Sequence, residues 1–319
     1  MTAIAPPADV VVGPADALVK KRGSDVSGRA FTALLWIALI GTLFILAVLL
    51  WDMVNRGWPV ITTRFWEFLT TGTNPNPEVA GIWQGLVGTF LLCVIVAVVA
   101  FPLGVAAGVY LEEYAKESRL TNMIKLSIRN LAGVPSIVFG LLGLSIFVKA
   151  LSGAGNQGGL TGGRTIVSGG LTLAALVLPI VIITTQEALR AVPAGIREGS
   201  LALGATDWET IRHHTVPAAA SGILTGTVLS LARAAGEAAP LILVGASTGF
   251  FSTGNLGPVE QLREGAFTAM PVLIYTWSRL PASQGWPALV GAASIVLIAM
   301  VFLMNGIAIY LRNRYEQKW

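Results

Sequence analysis

Arg233 and Glu237 stand inside the otherwise apolar run Ser230-Leu231-Ala232-Arg233-Ala234-Ala235-Gly236-Glu237-Ala238-Ala239-Pro240. A guanidinium is a planar fork of donors that grips the oxygens of an oxyanion two at a time, and it stays charged at any physiological pH. The i, i+4 spacing sets both side chains on one face of a helix. Pro240 has no N–H to give to the carbonyl of Gly236, so the helix is expected to open beside the charged pair. An Arg at mid-membrane costs at least about 2.5–3.5 kcal/mol on the insertion scale and must face protein or a water-filled path. Two readings stay open: an intrahelical ion pair that neutralises both charges or locks packing, and an anion-passage site. In the second, Glu237 moderates Arg233 so that the anion is not trapped, or accepts a hydrogen bond from a protonated oxyanion.

A second patterned segment precedes this run. It reads Arg197-Glu198-Gly199-Ser200-Leu201-Ala202-Leu203-Gly204-Ala205-Thr206-Asp207-Trp208-Glu209-Thr210-Ile211-Arg212-His213-His214-Thr215-Val216-Pro217. A short helix is expected from about Pro193 to Gly204, which tolerates the left-handed conformation of a helix C-terminus. Thr206 and Glu209 have the spacing of a capping box that starts another short helix. Pro217 suits the start of the following span.

The elements that must position these residues are membrane helices. The 319 residues are 54% hydrophobic and 12% charged, with a mean hydropathy of +0.71, against roughly 25% charged in soluble domains. Six stretches are long and apolar enough to cross a bilayer: about Phe31–Met53, Trp83–Leu111, Leu131–Leu151, Val167–Glu187, Ala218–Ala246 and Trp286–Leu311. The second and fifth exceed the minimum length and contain Pro102 and Pro240, which implies tilt, a kink or continuation beyond the bilayer. Lys and Arg divide fourteen against six between alternate connections, placing both termini in the cytoplasm and leaving Arg233 inside a span. Residues 1–30 read as a mobile cytoplasmic tail before an uncleaved anchor, 31–312 as the membrane domain with the patterned loop at 190–217, and 313–319 as a cytoplasmic end. The outer connections near Arg56–Ile82 and Ser247–Gly285 carry Trp58, Phe65, Trp66, Phe68, Tyr275 and Trp277. Interfacial anchoring and a docking surface for an external protein are both open there.

Other chemistry is set aside. Cys93 has no intrachain partner and lies in an apolar run. Gly153, Gly155 and Gly158 form a G-x-G-x-x-G with no preceding strand, and no Walker A pattern occurs, so any ATP is bound by another chain. Adjacent His213 and His214 diverge on a helix and make a poor metal pair. No nucleophile–base set stands out, and basic residues at span ends reflect membrane topology rather than nucleic-acid binding. No metal, cofactor or enzymatic reaction is expected on this chain.

The patterned loop resembles the EAA loop of ABC-importer permeases. Glu198, Gly204, Ile211 and Pro217 match it, while Gly199 and Ser200 replace its two alanines. The run Ala232–Pro240 resembles the fifth-span signature of the phosphate-specific permeases. Gly108-Val109-Tyr110-Leu111-Glu112-Glu113-Tyr114 and Val134-Pro135-Ser136-Ile137-Val138-Phe139-Gly140 extend the likeness over most of the chain from the second span onward. It is closest to the PstA branch of that family, with the PstC branch second.

The resemblance implies an all-α, six-helix type I ABC-importer permease in the cell membrane. It implies a substrate path at Arg233 and Glu237, a helix opening at Gly236 and Pro240, and ATPase coupling through Glu198, Gly199, Ser200, Gly204, Ile211 and Pro217. The partners implied are a PstC-like permease, a PstB-like ATPase dimer, a PstS-like external phosphate-binding protein, inorganic phosphate and membrane lipid. An importer of phosphonate, sulfate or molybdate, or a passive anion channel, is the alternative.

Overall fold

A computed structural model describes residues 26–152, 161–247 and 267–315, and every regular element among them is helical. The tail before Val26 and the G-x-G-x-x-G at Gly153–Gly158 lie outside the described residues. In chain order the helices are α1 (Val26–Thr70), α2 (Trp83–Val109), α3 (Arg119–Ala132), α4 (Ser136–Gly143), α5 (Ile166–Arg190), α6 (Ala194–Ala202), α7 (Asp207–Thr210), α8 (Val216–Gly236), α9 (Ala239–Val244), α10 (Met270–Ser278) and α11 (Trp286–Tyr315). Wider π-helical turns extend α2 through Tyr110–Tyr114 and α4 through Leu144–Ala150, and join α7 to α8 through Ile211–Thr215.

The chain divides into two compact units, Met1–Trp51 and Asp52–Trp319. In the first, α1 carries Leu34, Trp36, Ile37 and Phe44 on its surface, and none of its described residues before Trp51 is buried. An apolar helix with no core of its own is stable only in lipid or against another membrane helix.

In the second unit α5 packs along α2 and α8. Leu92, Val96, Ala100, Leu173, Val177 and Ala234 make the central core. The helices approach closely because small residues face their neighbours, as where Gly104 meets Val181 and Gly226 meets Thr184. At one end Phe68, Ile82, Leu273, Trp277, Trp286 and Leu289 form a separate core, with the Trp277 and Trp286 rings 5.6 Å apart. The buried Thr89 hydroxyl accepts the Met270 N–H at 2.8 Å and ties α10 to α2 there. At the other end Leu189, Val192, Ala219 and Ile223 pack beneath the segment between α5 and α8.

Three expected spans are corrected. The first, drawn as Phe31–Met53, belongs to a helix continuing to Thr70 through Pro59, with a non-helical residue at Arg64. Much of the expected Arg56–Ile82 loop is therefore helix. Phe68 and Trp277 are buried core residues rather than interfacial anchors, whereas Trp58, Trp66 and Tyr275 do sit at the surface. The third, Leu131–Leu151, is a bent pair: Arg119–Ala132 and Ser136–Ala150 meet at 102° across Gly133-Val134-Pro135. Proline removes a donor and restricts the residue before it, which ends α3. Ser136–Ala150 is only about 22 Å long at 1.5 Å per residue, short of the roughly 30 Å hydrocarbon core. The fifth, Ala218–Ala246, is two helices, α8 and α9, separated at Glu237 and Ala238. The remaining spans, around α2, α5 and α11, stand as long apolar helices.

α4 lies against α9 through Gly140, where an added Cβ would fall 2.7 Å from the Cα of Pro240 and 2.9 Å from Leu243 Cδ1. Backbone cannot yield as a side chain does. Gly140→Leu should therefore destabilise by about 1–3 kcal/mol through overpacking. Gly195→Ala, with open space around the site, should be neutral. Thermal unfolding in detergent, followed by loss of the monodisperse chromatographic peak, checks the pair.

Candidate functional site

The break between α8 and α9 is local and specific. α8 ends at Gly236, and Glu237 takes an extended backbone with φ −83° and ψ 117°. Pro240 then sits in the first turn of α9, where its missing N–H is harmless. The backbone is therefore interrupted before the proline rather than bent at it. α9 ends at Gly245, whose φ of 109° lies in the left-handed region and against which the Arg164 side chain packs.

Arg233 and Glu237 do not share one helix face, because Glu237 has left the helix. They still pair: Arg233 Nε lies 3.4 Å from Glu237 Oε1. The Arg233 side chain is 50% exposed and that of Glu237 20%. No other carboxylate among the described residues lies within 4.0 Å of Arg233. The contact engages Nε, and half of the Arg233 side chain stays exposed. Around it Ala234, Ala235, Leu241 and Val244 are buried, so the strand-like residue is held by packed helix on both sides. An apolar recess of about 340 Å³ lies next to this stretch, lined by Phe101, Leu224, Thr227, Leu231, Ala232 and Met304. It contains neither charged residue.

A helix end directs unpaired carbonyls, and a helix start unpaired N–H groups, into the space at a break. With one half-exposed guanidinium there, the site offers charge-assisted and neutral donors to an oxyanion. Glu237 beside the same guanidinium offsets part of its charge.

The segment between α5 and α8 has the local form its residues imply. α6 spans Ala194–Ala202 and Gly204 has a φ of 89°. Thr206 accepts the Glu209 N–H at 3.3 Å, and the Glu209 carboxylate accepts the Thr206 N–H at 2.9 Å. The second short helix is not a separate piece, since α7 runs through the π turn into α8. Ser200 and Thr210 hydroxyls, both buried, meet at 2.9 Å and close the hairpin. Ile211 is buried beneath it, and Pro217 lies at the start of α8. Glu198, Gly199, Leu201 and Trp208 are exposed, and Leu203 is 91% exposed at the tip. The sequence thus builds a braced projection with an apolar tip, at which the Arg212 guanidinium lies 5.9 Å over the Trp208 ring.

What sequence reasoning missed is how this projection is anchored. Glu112 accepts two hydrogen bonds from Arg190, at 2.6 and 2.9 Å, and lies 3.5 Å from Lys125 Nζ. Glu113 accepts two from Arg197, at 2.7 and 3.2 Å, while Arg197 also donates to the carbonyls of Leu189 and Val192. Planar forks on carboxylates fix orientation as well as distance. The two adjacent carboxylates at the end of the second span and the two arginines around Pro193 were the available signal. The exposed His213 and His214 belong to no metal-binding group among the described residues.

Removing a partly buried carboxylate leaves its guanidinium unmatched, at a cost of about 2 kcal/mol. Glu113→Ala should therefore speed tryptic cleavage after Arg197 and Arg212 several-fold. Asp52→Ala, which breaks the exposed Arg56 pair, should leave the digestion pattern unchanged. A time course resolved by mass spectrometry compares them.

These features have known relatives. The family described as Binding-protein-dependent transport system inner membrane component matches residues 100–317. Phosphate transport system permease protein PstA 1 of Mycobacterium tuberculosis is 35% identical over 288 residues, covering 90% of this chain and 89% of its own. PstA of Pasteurella multocida is 29% identical over 92% of this chain and 96% of its own. The probable ABC transporter permease protein YqgI of Bacillus subtilis is 32% identical over 79% and 84%. Among solved structures, a bacterial alginate ABC transporter aligns with a TM-score of 0.60 at 13% identity, covering 92% of this chain and 95% of that one. The MetNI methionine ABC transporter in an inward-facing form aligns with a TM-score of 0.51 at 19% identity, over 74% and 95%. The shared architecture is that of the type I ABC-importer permease, a multi-pass membrane subunit and not an enzyme. The match over residues 100–317, together with a relative 35% identical over 90% of this chain, makes this chain a member of the binding-protein-dependent transport system inner membrane component family.

Proposed function

We propose that this chain is the permease subunit of an ATP-driven inorganic phosphate importer, of the PstA kind. The observation that carries the reading is Arg233: a guanidinium left half-exposed where a membrane helix is interrupted, in a chain whose relatives are named phosphate transport permeases. The working assembly pairs it with a PstC-like permease, two PstB-like ATPases and a PstS-like external phosphate-binding protein. Both termini face the cytoplasm, and the α6–α7 projection fits a groove on an ATPase. ATP binding closes the ATPases, the projection carries that movement to α5 and α8, and the break with Arg233 changes the side it opens to.

Glu112 and Glu113 give the movement a rigid path, since they clamp the base of the projection to the end of α2. Arg233 and Glu237 bind and release the anion, and Gly236 and Pro240 keep the helix open around them. Gly204 sets the turn that exposes Leu203 and Trp208. Glu237 accepts a hydrogen bond from monohydrogen phosphate, a proton that sulfate lacks at neutral pH.

The complete assembly reconstituted in liposomes tests this. Arg233→Gln should lower ATP-dependent uptake of labelled phosphate about tenfold to a hundredfold, the range for a lost charged hydrogen bond. Glu237→Gln should raise inhibition by sulfate relative to phosphate. Phosphate uptake that is unaltered by Arg233→Gln, or that needs no ATP, would count against the reading. Stronger competition by phosphonate, sulfate or molybdate than by phosphate would move it to another oxyanion.

A further inference from the structure

We propose that α3 is an in-plane membrane-surface helix whose basic face binds anionic phospholipid headgroups beside the anchored base of the projection. Its sequence, Arg119-Leu120-Thr121-Asn122-Met123-Ile124-Lys125-Leu126-Ser127-Ile128-Arg129-Asn130-Leu131-Ala132, separates polar from apolar faces more sharply than any of the longer helices. At about 100° per residue, Leu120, Met123, Ile124, Ser127, Ile128 and Leu131 fall on one stripe. Asn122, Lys125 and Arg129 lie opposite, with Arg119 at the margin. Leu126 is the exception on the polar side.

Burial divides the helix into three arcs. Thr121, Lys125, Ile128 and Ala132 are partly covered and mark the side against the body of the protein. Leu120 and Met123, 66% and 65% exposed, lead the apolar stripe on one flank of that side. Asn122, Arg129 and Arg119 are exposed on the other flank. No residue of α3 is fully buried. A helix whose apolar and basic flanks point in opposite directions, both parallel to the wall it rests on, fits the boundary between hydrocarbon and water.

Depth is fixed independently. Lys125 shares Glu112 with Arg190, so the middle of α3 lies at the level where α2 and α5 end. The 102° bend into Ser136–Ala150 turns α3 across the direction of the helix that follows. A wide apolar stripe at that level and angle meets acyl chains, and the charges above it meet headgroups. Among the described residues Arg119, Arg129 and neighbouring Lys116 have no acidic partner, whereas Glu112 and Glu113 are neutralised by Arg190, Lys125 and Arg197. The unpaired charge of this patch is therefore mostly positive, complementary to phosphatidylglycerol or another acidic lipid. Through Lys125 and Glu112, lipid held on α3 bears on the start of the projection, whichever anion is carried.

The complete assembly in nanodiscs of phosphatidylcholine, with or without phosphatidylglycerol, decides the matter. Bimane on Met123→Cys, in a Cys93→Ser background, should be quenched by lipid brominated near the top of the acyl chain and not by aqueous iodide. Arg119→Gln with Arg129→Gln should reduce spin-labelled phosphatidylglycerol enrichment about tenfold and leave phosphatidylcholine contact unchanged. Iodide quenching of the bimane, protection from both quenchers as under a packed partner chain, or unchanged phosphatidylglycerol enrichment in the double variant would each overturn the proposal.

Discussion

A bilayer offers no water to a backbone, so an interrupted helix within it survives only where protein or a water-filled path covers the exposed groups. Under the proposed function that constraint falls on Glu237. The residue leaves the helical path, α8 and α9 stop and start on either side of it, and Arg233 is stranded at the end of α8. Two close helix contacts lie around that interruption. Gly140 lets α4 lie directly on Pro240, and Gly226 lets α5 lie against α8. The motif around Val134–Gly140 and the one around Arg233–Pro240, far apart in sequence, are two sides of one contact.

The same economy governs the base of the projection. Under the proposed function the loop transmits motion and must not absorb it, and the segment from Arg190 to Thr215 is stiffened at each joint. Arg190 and Arg197 are forked onto Glu112 and Glu113, the capping box closes α7, and the Ser200–Thr210 bridge is buried within the hairpin. The π turn at Ile211–Thr215 then joins the projection to α8 without a flexible link. Displacement at Leu203 and Trp208 is therefore mechanically continuous with the helix that carries Arg233.

Local chemistry was legible in the sequence and tertiary consequence was not. Thr206 with Glu209 specifies a capping box and Gly204 a left-handed turn, since both depend on residues a few positions apart. Apolar length placed α2, α5 and α11 for the same reason. The opening expected beside Arg233 and Glu237 is present, but it is a full break that makes two helices of Ala218–Ala246, because apolarity is indifferent to backbone continuity. Pro240 reads as able to bend the span, whereas the chain uses it to start α9. The third span follows the same rule: Leu131–Leu151 is mostly apolar, but Gly133-Val134-Pro135 turns the chain by 102°. Glu112 and Glu113 were seen only as a match in a motif, because their arginines lie 78 and 84 residues away in sequence.

Under the proposed function the interruption at Glu237 is the gate, facing opposite sides of the membrane in the two halves of an ATP cycle. Gly236 has open space where a side chain would stand and borders Arg233's helix end, and Cys93, the chain's one cysteine, is buried. In a Cys93→Ser background, Gly236→Cys in the reconstituted assembly can be probed with a membrane-impermeant thiol reagent added to either side. Modification is expected from one side without nucleotide and from the other with ATP trapped. Modification from a single side in both states would contradict it.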